Sequence, residues 1–387
     1  MKSTQTSIET IDNDNALKDF CAAICKSDFI ALDTEFMREK TYFPQLCLLQ
    51  IATTEHLACI DPLAINNLEP LYEILFDTNI LKVLHAAGQD LELIYHMTGK
   101  LPEPIFDTQI AAAMLGEGEQ TGYAAVIKSM LNIELDKSQT RTDWSKRPLT
   151  TAQLNYAADD VRHLVTAYQK QHEILTKKGR LEWLTPDFNR LSNPQQFEQT
   201  DKSLLKRVKG TQRLRPEQLA IIRNLAIWRE QTAQKKNKPR KWILADNVML
   251  DLAKRPPKTL ADLSDYRGLN PGHIQNSGQQ ILDTIKAAQQ LPTDQWPEQT
   301  RRKKLNESQA TTADAAMVLL RIIGNQHNIA PGSLSNRTQI EKLITGEKDI
   351  PLLQGWRYEL AGRAIENFLG GKGWLSIDSS KLVFTEK

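Results

Sequence analysis

At 387 residues, with 40% hydrophobic and 25% charged side chains and a formal net charge of +2, the chain has an ordinary globular composition and is too long for one small domain. No apolar run approaches the ~18 residues of a membrane span, and the polar, acidic N-terminus has no signal-peptide core, which argues against membrane insertion and export. Cys21, Cys25, Cys47 and Cys59 form no CxxC pair, which fits reduced cytoplasmic thiols better than a zinc site or a disulfide framework.

In chain order, strands are predicted at about 29–36, 46–53 and 56–60, then a helix, a strand near 80–85, a helix, a short strand near 105–107, and helices. Three close strands followed by alternating helices and strands predict a mixed sheet with helices packed on it. The run Phe29-Ile-Ala-Leu-Asp-Thr-Glu-Phe36 reads as a buried strand interrupted by two acids. Side chains alternate along a strand, so Asp33 and Glu35 share a face, roughly 7 Å apart at the backbone, and Thr34 takes the other. Two carboxylates on one face of a core strand repel each other and resist desolvation unless a cation lies between them. An edge strand with two solvated acids would show the same short pattern.

From Leu81 the chain runs as a strand through the small-residue turn His85-Ala-Ala-Gly-Gln-Asp90 into a helix, which sets Asp90 in or near the first helical turn. There it also suits the helix dipole. His85 lies close enough to Asp90 to touch a ligand, and equally fits a satisfied core histidine. Gly116-Glu-Gly-Glu-Gln-Thr-Gly122 lacks the Gly-Lys-Ser/Thr ending of a phosphate loop and reads as a flexible connector. A long helix follows from Thr150 to Gln171, on which Tyr156 and Asp160, four residues apart, face the same way and Asp159 faces elsewhere. Each of these acids and the tyrosine has an ordinary solvated or packed reading when taken alone.

After about residue 190 the pattern becomes helix only. Pro216 opens a segment with Leu219, Ile222, Ala226 and Trp228 on one face, and Asp246 can cap the next helix. A polar stretch near 291–308 reads as a linker, beyond which a second helical unit loosely echoes the first. Charge is unevenly spread: residues 1–195 hold 18 Lys and Arg against 27 Asp and Glu, whereas 202–241 hold 13 basic side chains against Glu217 and Glu230 alone. A basic segment beside an acidic module suits a phosphate-backbone ligand, although a solvated helix and loop would look the same.

The strand 33–35, the turn 85–90 and the helical YAADD at 156–160 resemble the three motifs of the ribonuclease D family, in the tyrosine-containing branch of the DEDD exonuclease superfamily. Residues 41–50 (TYFPQLCLLQ) and 143–149 (DWSKRPL) resemble its flanking signatures. The resemblance implies Asp33, Glu35, Asp90 and Asp160 as metal ligands and Tyr156 as the group that positions the attacking water. It also implies an α/β plus all-α architecture. A ribonuclease H-like mixed-sheet exonuclease domain over 1–195 is followed by two small helical HRDC domains, over 213–292 and 306–377.

Chemistry points the same way. Oxygen-only ligands select hard cations, two Mg2+ or Mn2+ ions, over zinc, and a metal pair about 4 Å apart suits in-line displacement at a phosphodiester. A tyrosine that titrates near ~10 is a poor base at neutral pH but can hold a water. The reading is therefore a metal-dependent 3′ to 5′ exoribonuclease that releases nucleoside monophosphates. The resemblance suggests precursors of transfer RNA as partners, with no organic cofactor, no membrane and a monomeric, cytoplasmic protein. Phe36 and Met37, next to Glu35, could contact the terminal base or sugar, and equally fit the core. The same acids would serve a DNA exonuclease, and a catalytically silent RNA-binding scaffold on this fold is the other alternative.

Overall fold

Apolar runs of the N-terminal half build one sheet, and its two edges are three-residue segments. A computed structural model describes residues 7–136, 138–139, 142–298 and 304–387. It divides into two units: Met1–Phe36, Leu46–Gln196 and Lys303–Lys387 form the first, and Met37–Gln45 with Phe197–Arg302 form the second. Among the described residues, no helix is long and apolar enough to cross a membrane.

The first unit begins with β1 (Glu9–Ile11), α1 (Asp14–Ile24), β2 (Phe29–Met37), β3 (Gln45–Ala52), β4 (Leu57–Ile60) and α2 (Glu69–Phe76). Next come β5 (Leu81–Leu84), α3 (Gly88–Thr98), β6 (Ile105–Asp107), α4 (Thr108–Met114), α5 (Tyr123–Leu131), α6 (Thr151–Lys177) and α7 (Thr185–Leu191). The sheet order is β1-β4-β3-β2-β5-β6. Strand pairs β1/β4, β2/β5 and β5/β6 are parallel and β3/β4 is antiparallel, giving the mixed sheet the spacing predicts. In β3 every residue after Gln45 is buried, as expected of a strand covered on both faces. Three residues long with two of them exposed, β1 carries too little apolar signal to be read from sequence.

The two faces of the sheet can be told apart by their partners. Thr34 and Leu49 line a small apolar pocket with Leu71, Leu75, Leu93 and Ile94, so that face is covered by α2 and α3. On the opposite face lies α6, which packs on β4 and β5 through a stripe that includes Ala157, Ala158, Val161 and Leu164. Thr150 and Gln153 start α6 with a reciprocal capping box, which fixes where the helix begins and hence which residues face the sheet.

At the start of β5, Lys82 is fully buried, and its ammonium donates to the carbonyls of Asp77 (2.7 Å), Ile80 (2.6 Å) and Glu103 (2.7 Å). Burial pulls the amine down to about 8, while three charge-assisted bonds use every proton it has. Lys82→Met should destabilise the protein by about 2–4 kcal/mol, because three carbonyls lose their donor together. A urea midpoint indistinguishable from wild type would show that the carbonyls find other donors.

The second unit holds α8 (Asp201–Arg207), α9 (Pro216–Lys235), α10 (Arg240–Ile243), α11 (Asp246–Lys254) and α12 (Pro271–Gln289). Its core joins Leu219, Ile222 and Leu225 of α9 to Val248, Met249 and Leu252 of α11 and to Ile281, Leu282 and Ile285 of α12. Pro216 takes the first position of α9, where its missing N–H is harmless. Asp246 is the first residue of α11 and not its cap: it pairs with the buried Arg229 at 2.6 Å and accepts the Lys209 N–H.

Residues 37–45 belong to this second unit because Tyr42 is buried in it. The Tyr42 hydroxyl donates to Glu230 at 2.5 Å, Arg240 holds both Glu230 oxygens, and the Asn237 side-chain oxygen accepts the N–H groups of Tyr42 and Phe43 at 3.1 Å. Burial raises the Glu230 carboxyl, but hydrogen bonds from Arg240 and Tyr42 outweigh it and keep the group below the usual range.

The remaining elements return to the first unit: α13 (Glu307–His327), α14 (Pro331–Leu334), α15 (Arg337–Ile344), α16 (Gly355–Arg357), α17 (Arg363–Leu369), β7 (Gly373–Asp378) and β8 (Lys381–Glu386). The hairpin β7/β8 corrects the helix-only expectation for this half. Its Ser379-Ser380 turn has positive φ at both residues, a primed-turn geometry without the Asn-Gly signature that would have announced it.

Arg180 fastens this C-terminal segment. Its guanidinium donates to the carbonyls of Met114 (3.1 Å), His327 (2.7 Å) and Asn328 (3.5 Å), the last two being the exposed end of α13. Trp183 stacks on Trp356 at 5.0 Å between centroids, and Arg357 pairs with Asp187 at 2.8 Å.

Candidate active site

Strand alternation places Asp33 and Glu35 on the sheet face that α6 covers, and α6 brings Asp160 to meet them. One carboxylate oxygen from each of the three lies within 4.8 Å of the others. Among the described residues, this is the one group of three His, Cys, Asp or Glu side chains close enough to share an ion.

Asp90, the third residue of α3, is buried beside this trio and accepts a hydrogen bond from the Thr34 hydroxyl. Its charge reaches Asp33 and Glu35, although its oxygens lie outside the close group.

Every one of these acids is pushed toward its neutral form. Burial, then the charges of Asp90, Asp160 and Glu35, drive Asp33 well above the usual carboxylate range. Glu35 rises to about 8 through burial and then the Asp160 and Asp90 charges. Asp160 rises to about 7 through burial and then Asp159. Asp90 reaches about 6 through burial, with the Thr34 hydroxyl opposing. Four acids forced together in this way are costly to keep ionised without a shared cation. The donors are all oxygen, with no sulfur or imidazole, so the set fits a hard divalent metal.

Tyr156 stands one turn before Asp160 on α6, half-buried. Burial and the charges of Asp160, Glu35 and Asp33 push its hydroxyl up to about 12, so at neutral pH it keeps its proton and can donate a hydrogen bond. Its ring packs near Trp144, 6.3 Å between centroids. Trp144 is held in turn by Arg147, which donates to the Trp144 and Cys47 carbonyls and forks onto Asp61 at 2.5 and 2.7 Å. The segment 143–149 thus backs the tyrosine, a role its sequence does not reveal.

The other sequence candidates lie less centrally. His85 is half-buried, its Nδ1 is 3.0 Å from the Thr108 hydroxyl, and its ring meets Tyr123 edge-on. Phe36 and Met37 are half-buried at the end of β2. Asp159 faces away and pairs with Arg162, as the helical spacing requires. Tyr123 was missed: its hydroxyl donates to the Asp159 carbonyl at 2.9 Å, and after burial the Asp160 and Asp33 charges raise it further, which places it at the acids. Nothing local marks it, since it follows Gly122 at the end of the connector read as flexible.

A 3'-5' exonuclease family model matches residues 8–176, and an HRDC domain model matches residues 218–285. The chain is 39% identical to the ribonuclease D of Sphingobium indicum over 97% of its own length and 98% of that protein's. It is 40% identical to the ribonuclease D of Zymomonas mobilis over 97% of both. Its fold superposes on the crystal structure of Escherichia coli RNase D with a TM-score of 0.83 at 33% identity, covering 95% of this chain and 99% of that one. With identity of that order sustained from one end to the other, and with an acidic cluster on the exonuclease sheet, this chain belongs to the ribonuclease D family.

Proposed function

We propose that the protein is a metal-dependent 3′ to 5′ exoribonuclease that shortens RNA one nucleotide at a time and releases nucleoside 5′-monophosphates. In this reading Asp33, Glu35, Asp90 and Asp160 hold two divalent cations, Mg2+ or Mn2+. The observation that carries it is the meeting of Asp33, Glu35 and Asp160 from a strand and a distant helix. When bound, such cations supply Lewis-acid polarisation of the phosphate and offset the charge of the acids. The chain's own part is to hold four oxygens in fixed positions on β2, α3 and α6, with Thr34 fixing Asp90. Tyr156, protonated and braced by Trp144, donates a hydrogen bond that orients the attacking water. His85, Phe36 and Met37 are proposed as contacts to the terminal nucleotide.

The E. coli relative is described as an exoribonuclease involved in structured RNA processing, which supports structured RNA, and more narrowly transfer RNA precursors, as the substrate here. We further propose an exonuclease domain over 1–195, helical domains over 213–292 and 306–377 of the HRDC type, and a monomer acting in the cytoplasm. The helical domain over 213–292 is proposed to grip RNA. Lys235, Lys236, Lys238 and Lys241 are exposed and lie within the seven residues that precede Trp242, which is 53% exposed. Lysines hold phosphates and an exposed indole offers a stacking platform for an unpaired base.

Replacing Lys238, Lys241 and Trp242 together by alanine should weaken binding to a structured RNA several-fold. It should also flatten the salt dependence of log K by about 1 per lysine lost. Filter binding at several salt concentrations checks this, and an unchanged slope would locate the grip elsewhere.

The central test uses 5′-labelled RNA and a matched DNA with Mg2+, Mn2+ or EDTA. The expected result is an RNA ladder shortening from the 3′ end in single steps, with monophosphate products and none in EDTA. Internal cuts would sink the exonuclease reading. Faster loss of the DNA would move the substrate to DNA.

A further inference from the structure

Tyr123, the first residue of α5, touches two of the three segments that build the acidic cluster. Its ring meets His85 edge-on, 5.5 Å between centroids, in the turn that leads into α3 and Asp90. Its hydroxyl donates to the Asp159 carbonyl of α6 at 2.9 Å. That carbonyl belongs to the planar peptide joining Asp159 to Asp160, so the bond fixes the backbone from which the Asp160 carboxylate hangs. Asp159 lies well inside α6, where the helical ladder already gives its carbonyl a donor. The second bond therefore adds nothing that the helix itself needs, and ties the helix to α5.

The element that presents the tyrosine is itself held. The chain leading to it, read from sequence as a flexible connector, is tied at Leu115 to Asn328 (2.8 Å), at Glu117 to Ala112 (3.1 Å) and Ser129 (2.7 Å), and at Thr121 to Gln109 (3.1 Å). At the far end of α5 the Lys170 ammonium donates to the Met130 carbonyl at 3.0 Å, so α5 is fastened to α6 at both ends. Asp33 and Glu35 on β2 repel Asp160 on α6 across the cluster. The bond from Tyr123 limits how far that turn of α6 can yield.

We infer that Tyr123 is a positioning residue for the acidic site: its hydroxyl holds the Asp159–Asp160 peptide so that the Asp160 carboxylate stays within reach of a cation shared with Asp33 and Glu35. Groups that hold metal ligands without touching the metal alter affinity or activity by about 10- to 100-fold when lost. Tyr123 acts through the backbone of its ligand, which sets the lower end of that range as the expected effect. The inference rests on the metal reading above.

The test compares wild type with Tyr123→Phe, which keeps the ring against His85 and removes only the donor. Lys170→Met serves as the control, since it removes the other tie between the same two helices at the end away from the acids. Melting temperature is followed against Mn2+ concentration, and kcat and KM are measured on labelled RNA. Tyr123→Phe should need about 10-fold more Mn2+ for half-maximal stabilisation and lose about 10-fold in kcat, with KM for RNA within about twofold of wild type. Lys170→Met should leave the Mn2+ midpoint unchanged.

A Tyr123→Phe protein with the wild-type Mn2+ midpoint overturns the inference, whatever its turnover. A Lys170→Met protein with the same shift in midpoint overturns it too, because the effect would then belong to α5 packing in general. A wild-type protein that Mn2+ fails to stabilise would sink the metal reading itself, which separates the two failures.

Discussion

Asp33→Asn and Asp160→Asn each lower exonuclease turnover by about 1000-fold or more and leave RNA affinity within about twofold. Metal-ion stabilisation of a phosphoryl transition state is worth several kcal/mol, and each 1.36 kcal/mol is a decade in rate. A second signature separates this from a folding defect. Asp33 is driven toward protonation by burial and by three neighbouring acids, so replacing its charged oxygen with an amide relieves repulsion in the metal-free protein. The melting temperature without metal should therefore rise, while the gain in melting temperature on adding Mn2+ should shrink. A variant that turns over like wild type, or that melts lower and binds Mn2+ unchanged, would contradict a shared cation site.

A chain ending before residue 304 loses the segment that α13 to β8 contribute to the first unit. Arg180 then loses the carbonyls of His327 and Asn328, Trp183 loses its stack with Trp356, and Asp187 loses Arg357. Hydrogen bonds to a charged group are worth about 1.5–3 kcal/mol and an aromatic pair about 0.5–1.5, so about 5 kcal/mol is at stake. For a unit of this size that corresponds to roughly 10–20 °C in melting temperature. Circular dichroism melts of the truncated and full chains check it. A truncated protein that melts and turns over like the full one would make the segment an independent appendage.

Much of the site is legible in the sequence because its signals are local. Alternation along Phe29–Met37 puts Asp33 and Glu35 on one face, and the four-residue spacing of Tyr156 and Asp160 puts both on one side of α6. Long-range partners are not legible. Tyr123, Trp144 and Arg147 take their places through contacts with Asp159, Tyr156 and Asp61 that no window of sequence contains. The basic stretch 202–241 also reads differently once folded. The buried Arg229 is spent on Asp246 and Arg240 on Glu230, so the surface charge there rests on the lysines and on exposed arginines such as Arg213. The assignment of 37–45 to one unit and of 303–387 to the other is set by Tyr42 and Arg180, each matched to residues more than a hundred positions away.

The burial of Tyr42 against Glu230 has a consequence for biosynthesis. The two residues are 188 positions apart. At the usual 5–20 residues per second, the ribosome delivers Glu230 roughly 10–40 s after Tyr42. Throughout that interval the nascent connection from β2 to β3 carries an aromatic residue whose buried partner does not yet exist, so the second unit cannot close until its N-terminal piece has waited through about half of translation.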